Sequence, residues 1–296
     1  MPIISVTNQK GGVGKTTLIA SLAQILTEKG YKVLSLNLDP QRNLDMMAGK
    51  GVAIKIDDKD TPSMLQVMNG ECDIQDAIIK TPLGDLVRAS SLLSGWTGQS
   101  LLTMSEYVQM QNDPAMLLSY LRDKYDKFGH ISEQHVLRER LKEISKNYHY
   151  VLLDTNPSLM ILTMNALCAA DYVLIPAFCD DFSRAAIIEL WNTIQLLNYY
   201  EPERELKVAG IVVTKSSKRT IVAQSYYDNF EERAKKMNTI LFKTKIRQSV
   251  LANEATTAGQ TVVDYASGKD IARDYRAFAK EFVKRIDELE GGKRHA

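Results

Sequence analysis

A chain of 296 residues with 45% hydrophobic composition is long enough to bury a large core, and its formal net charge of +1 excludes a surface that coats nucleic acid or acidic membrane over its whole extent. Any contact of that kind has to be a local patch. Cys72, Cys168 and Cys179 are widely spaced with no C-x-x-C, so they give no metal framework, fit a reduced compartment and are expected as small buried hydrophobes.

In chain order, "IISVT" at 3–7 reads as a buried strand, and "TTLIASLAQILTEKG" then places apolar residues every three or four positions until Gly30, a natural helix end. "KVLSLNL" at 32–38 is a second strand. Residues 51–135 are less regular and are expected to carry a few helices and loops. "HYVLLD" at 149–154, "DYVLIPA" at 171–177 and "KVAGIVVT" at 207–214 complete the strands, with helical patterns around 136–147, 184–199 and 220–236. The apolar stretch at 159–178 approaches membrane-spanning length, but Asn165, Asp171 and Pro176 interrupt it, so a helix turning into a buried strand is expected. This alternation predicts an α/β fold, a mostly parallel sheet flanked by helices on both faces, with ligands at the carboxyl ends of the strands. One domain over 1–290 and a flexible tail at 291–296 are expected. No basic start or cleavage-like site precedes residue 7, so no signal peptide is expected and a cytoplasmic location is.

"TNQKGGVGKTT" at 7–17 lies between the first strand and the first helix. Gly11, Gly12 and Gly14 allow a tight turn with N–H groups pointing inward, and the helix that follows directs its positive end toward an anion. Gly11, Gly12, Val13, Gly14, Lys15, Thr16 and Thr17 therefore form a candidate nucleotide-binding loop, with Lys15 against the terminal phosphates and the Thr16 hydroxyl on Mg²⁺. The loop departs from the ordinary G-x-x-x-x-G-K-[ST] pattern: Gln9 stands at the first glycine position, and Lys10 is a second lysine.

"KGGVGKT" with Lys10 resembles the deviant Walker A motif of the ParA/MinD superfamily of ATPases, "NLDPQRNL" at 37–44 resembles their switch I, and "YVLLDTNPSL" at 150–159 their Walker B and switch II region. With "RT" at 219–220 and "DYASGKDIARDYRAFAKEF" near the end, the likeness spans nearly the whole chain and is nearest to the ParA/Soj partition ATPases. The resemblance implies ATP and Mg²⁺ as cofactors and a homodimer that sandwiches ATP, with Lys10 crossing to the partner's phosphates. Charge supports that role, because Lys15 already serves the phosphates of its own subunit. Asp39 is implied as the residue that orients the attacking water and lies near the metal, and Asp154 as the carboxylate that acts on Mg²⁺ through its water shell. The family usually has D-x-D where this chain has Asn37-Leu38-Asp39, so a loss of one site charge and slow or altered hydrolysis are expected.

Residues 215–247 hold nine basic and three acidic residues, a local charge of +6 on a near-neutral chain, which suits weak sequence-independent binding to DNA phosphates. The candidate DNA-binding residues are Lys215, Lys218, Arg219, Lys243, Lys245 and Arg247. Arg219 matches a DNA-binding arginine of the resembled family; a second such arginine aligns with Leu251, for which Lys243, Lys245 and Arg247 are the candidate replacements. The family resemblance implies a cycle of ATP-dependent dimerisation, nucleoid binding and release when a centromere-binding ParB-like partner stimulates hydrolysis. With the loop starting near residue 8, no amino-terminal helix-turn-helix is expected, and hence no operator-specific repression by this chain alone. The alternatives are a MinD-like membrane ATPase, which "RNLD" at 42–45 also resembles, a nitrogenase-reductase-like redox ATPase, and a scaffold that binds ATP without turnover. The last helical stretch, 271–290, is amphipathic but acidic near its end, and packing against the domain rather than a membrane is expected of it.

Overall fold

The computed structural model describes residues 1–48, 61–96, 133–216 and 221–291. Seven strands alternate with helices: β1 (Ile3–Val6), α1 (Lys15–Glu28), β2 (Val33–Asn37), α2 (Asn43–Ala48), α3 (Met64–Asn69), β3 (Ile78–Thr81), β4 (Gly84–Val87), α4 (Val136–Leu141), β5 (Tyr150–Asp154), α5 (Ile161–Ala169), β6 (Tyr172–Ala177), α6 (Asp181–Tyr200), β7 (Lys207–Val213), α7 (Ile221–Lys236), α8 (Val250–Thr257), α9 (Val262–Tyr265) and α10 (Asp270–Leu289). They form one sheet in the order β3-β4-β2-β5-β1-β6-β7, parallel except for the β3–β4 pair. The five strands expected from apolar runs are all present, and the 159–178 stretch is a helix, α5, leading into β6.

Two parts of the sequence reading change. The hairpin β3–β4 lies where only helices and loops were expected; its strands have four residues each, and β3 is nowhere fully buried, so no long apolar run announces it. The helix expected over 136–147 stops after Leu141 and resumes as a 3₁₀ turn at Ile144–Asn147, because beyond Leu141 only Ile144 faces the core.

Side chains along the central strands alternate between two cores. Val151 and Leu153 of β5 join the layer under α3 to α7, while Tyr150 and Leu152 join the layer under α1, α2 and α8 to α10. Helices thus cover both faces, as a buried parallel sheet requires. The buried side of α10, carrying Tyr275, Phe278, Phe282 and Ile286, packs in the second core. No described helix is long and apolar enough to cross a membrane. Residues 241–247 run beside β7 through bridges from Ile211 to Leu241 and from Ser216 to Arg247. This close approach needs Gly210: a Cβ there would lie 2.5 Å from the ring of the buried Phe242.

β1 is flanked by β5 on one side and β6 on the other, and chain order reverses across it. The crevice at the carboxyl ends of β1, β2 and β5 is therefore the expected place for a ligand.

Candidate nucleotide site

The loop after β1 opens this crevice. Gly12 and Gly14 adopt left-handed φ values of 73° and 82°, and Gly14 is the N-cap of α1. At Gly11, Gly12 and Gly14 a Cβ would meet no atom within 4 Å, so the loop faces open space, as a phosphate cradle must. Its base is fixed to the sheet at two points. Asn8 donates to the Pro176 carbonyl at 2.7 Å and accepts from the Lys10 N–H at 2.9 Å, and Thr214 donates to the Val13 carbonyl at 2.7 Å.

Lys15 is only 6% exposed and donates to the Asn8 carbonyl at 3.0 Å. Burial lowers its pKa, while the charges of Asp154 and Asp39 oppose that shift. Asp154, at the end of β5, is fully buried, and neither carboxylate oxygen has a hydrogen-bond partner among the described residues. Burial pushes its pKa up to about 7, with the Thr16 hydroxyl and Lys15 pulling it down and Asp39 adding to the rise. A buried carboxylate left without donors beside Thr16, Asp39 and Lys15 fits a site whose remaining partner is a hydrated divalent cation, so the residues present suit Mg²⁺. Asp39 follows β2, and its side chain accepts from the Gln41 N–H at 3.0 Å. Lys15, Thr16, Thr17 and Asp39 share one cleft of about 560 Å³, walled on its far side by Ile246, Val250, Thr256, Ile271 and Tyr275. That volume is in the range of small-molecule sites.

A family model described as an AAA domain matches residues 1–208. The chain is 30% identical over 286 residues to the chromosome partitioning protein ParA of Myxococcus xanthus (strain DK1622), covering 96% of this chain and 88% of that protein. The chain belongs to the ParA/MinD-type family of P-loop ATPases. It is also 29% identical over 281 residues to the sporulation initiation inhibitor protein Soj of Bacillus subtilis (strain 168), covering 94% of this chain and 97% of Soj. Among solved structures, cobyrinic acid a,c-diamide synthase of Mycobacterium smegmatis with bound ATP analog and magnesium has the same fold, with a TM-score of 0.70 at 24% identity over 99% of this chain and 98% of that one.

In this ParA/MinD-type chain Gly12, Gly14, Lys15, Thr16 and Thr17 of the loop line one cleft with Asp39, while Val13 is buried and Asp154 is buried beside Thr16, Lys15 and Asp39; the structure places Lys10 elsewhere. The Lys10 ammonium forms an ion pair with Asp180 of its own chain and lies 4.8 Å from the centre of the Phe178 ring. Asp180 is also the N-cap of α6, accepting from the Ser183 N–H at 2.8 Å. The cap pattern is readable in "DDFS", but its contact with a lysine 170 residues earlier is not.

The basic segment divides. Lys215 is exposed and lies 5.0 Å from the centre of the Phe178 ring that Lys10 also approaches; Lys243 is exposed, and Lys245 lies 3.2 Å from the Tyr227 ring centre. Lys235 and Lys236 pair with Glu231 and Glu232 one turn earlier in α7. Arg247 is held by two carboxylates of α10, at 2.6 Å from Asp274 and 2.7 Å from Asp270, and lines the nucleotide cleft. Lys218 and Arg219 lie outside the described residues, as does the tail beyond Gly291. Of the cysteines, all free, Cys168 is buried as expected, whereas Cys72 and Cys179 are only half-buried.

The cleft wall from Ile246 to Thr256 was not legible in the sequence, since it depends on the packing of α8 against α2 and α9. Asp45 was also missed. It is 1% exposed and accepts from the Asn37 side chain at 2.7 Å, so the amide at 37 is paired with a buried carboxylate eight residues later.

Proposed function

We propose that the chain is an ATP-dependent partition ATPase, folded as one domain over residues 1–290, that dimerises around ATP, binds DNA without sequence preference in that state and releases it when a ParB-like centromere-binding partner stimulates hydrolysis. The observation that carries the reading is the convergence of the glycine loop, Lys15 and Asp39 on one cleft of a chain of this family, with the buried Asp154 carboxylate next to Thr16, Lys15 and Asp39.

Bound ATP with Mg²⁺ supplies the γ-phosphate at which water attacks. The loop N–H groups from Gly11 to Thr17 bind and orient the phosphates, and Lys15 neutralises their charge from within the buried loop. The Thr16 hydroxyl, Asp154 and Asp39 form the metal side, with Asp154 acting through water. Asp39 holds and aligns the attacking water and accepts its proton. Lys10 completes the site of the second subunit, for which it must leave Asp180. Lys215, Lys243 and Lys245, with Lys218 and Arg219, form the DNA face, in a cytoplasmic, nucleoid-associated protein. Arg247 serves the nucleotide cleft rather than DNA, because Asp270 and Asp274 already neutralise it.

The test is binding to unrelated duplex DNA and to anionic vesicles, each with no nucleotide, ADP, or ATP and Mg²⁺, over a range of salt. DNA binding that requires ATP and fades with salt supports the partition reading. ATP-dependent binding to vesicles alone would move the protein to a membrane-positioning role, a reading disfavoured by the burial of the apolar side of α10.

A further inference from the structure

The turn that carries Asp39 is closed by two side chains, Asp45 and Asn37, linking a buried carboxylate to the Asp39 backbone N–H. Asp45, on α2, accepts from the Asn37 Nδ2 at 2.7 Å, from the Ala89 N–H beyond β4 at 3.1 Å and from Arg42 Nε at 3.4 Å. Asn37 uses its other end to accept from the Asp39 N–H at 3.0 Å. The amide at 37 can only sit one way round: its NH₂ meets a carboxylate and its carbonyl meets an N–H. An aspartate at 37 would face the Asp45 carboxylate at the same separation, two like charges in a buried space. Asn37 and Asp45 are therefore a matched pair, each intelligible only with the other.

We infer that Asp45 is a positioning residue for Asp39, acting through the Asn37 amide to fix the backbone from which Asp39 reaches the nucleotide cleft. The carboxylate is kept in place against a cost: burial pushes its pKa up to about 6, with Asn37 and Arg42 opposing. It joins three segments, the end of β2, the start of α2 and the end of β4, through polar contacts at its two oxygens. Asp45 touches neither the loop nor the metal side, so its effect on the reaction is on alignment and not on nucleotide affinity.

The kinetic arm of the test rests on the ATPase reading; the exchange arm does not. In Asp45→Asn two amides face each other, and in Asn37→Asp two carboxylates do, whereas the double variant N37D/D45N restores one donor and one acceptor with the positions exchanged. The expected result is a fall in kcat of about tenfold in each single variant at nearly unchanged KM for ATP, and recovery to within about threefold in the exchange variant. In parallel, amide hydrogen exchange without nucleotide should speed up about tenfold at Asp39 and Ala89 in D45N and slow again in the double variant. Unchanged protection of Asp39 in D45N, or an exchange variant no better than its worse parent in protection, would overturn the inference. If no variant, nor the wild type, hydrolyses ATP while protection follows the expected pattern, the ATPase reading fails and the positioning role stands.

Discussion

Lys10 and Asp180 form an ion pair within a single chain, across the base of the nucleotide loop. Residues 8–11 thus present a lysine already satisfied before any second subunit arrives. The pair is partly exposed, with side-chain accessibilities of 21% and 35%, so it is worth at most about 1 kcal/mol.

Release of that pair sets the first prediction. Asp180→Asn retains the capping oxygen for Ser183 and so leaves α6 intact, but it frees Lys10. Because both subunits contribute, the ATP-dependent dimer should form severalfold more tightly, as read by analytical ultracentrifugation with and without ATP. A dimer constant equal to that of the wild type would show that Asp180 does not compete for Lys10.

Lys15 is the second test. It is buried at a cost that phosphate would relieve, so Lys15→Met should remove binding of a fluorescent ATP analog, by about 3 kcal/mol or more, while leaving the nucleotide-free melting temperature equal or higher. Retained nucleotide affinity would remove the loop from the site.

How far the sequence carried the reading differs between parts of the molecule. The central strands and the loop were legible because fully buried parallel strands are continuous apolar runs, and a glycine loop between a strand and a helix has a local pattern. Asp45, Asp180 and the wall from Ile246 to Thr256 were not, because each acts on a residue distant in sequence or on the far side of a turn. The β3–β4 hairpin escaped for the opposite reason, being too short and too exposed to show a period.

Asp45 makes a prediction for stability that runs against ordinary acid denaturation. Its folded pKa of about 6 lies above the ordinary 3.8, so its contribution to stability is full below about pH 3.8 and is lost as pH rises through 6. Burial drives that rise, with the Asn37 amide, the Arg42 charge and the Ala89 N–H opposing it. Relative to wild type, Asp45→Asn should therefore gain stability between pH 4 and pH 7, by up to about 3 kcal/mol, in urea unfolding of the nucleotide-free protein. Parallel curves for the two proteins would mean that Asp45 titrates normally. Combined with the expected loss of kcat, a more stable but slower variant would separate positioning from folding.

At the other end of the sheet, Gly210→Ala should destabilise by roughly 1–3 kcal/mol, since the added methyl would lie 2.5 Å from the ring of Phe242, which is only 1% exposed. Adding Phe242→Leu should cost less in the Gly210→Ala background than alone. Additive losses would show that the two sites do not touch.

The DNA face sets exposed lysines apart from an arginine held by two carboxylates. Lys215, Lys243 and Lys245 are exposed, and replacing each by alanine should lower the slope of log affinity against log salt by about 0.9, equally for unrelated duplexes. Arg247→Ala should leave that slope unchanged, because Asp270 and Asp274 hold the guanidinium on α10 and its charge is compensated before DNA arrives. It should instead weaken ATP binding, since its loss leaves those two carboxylates unpaired beside the cleft that must accept a polyanion. A salt slope that falls in Arg247→Ala, with nucleotide affinity intact, would return this residue to the DNA face and make its clamp on α10 a resting contact that DNA displaces.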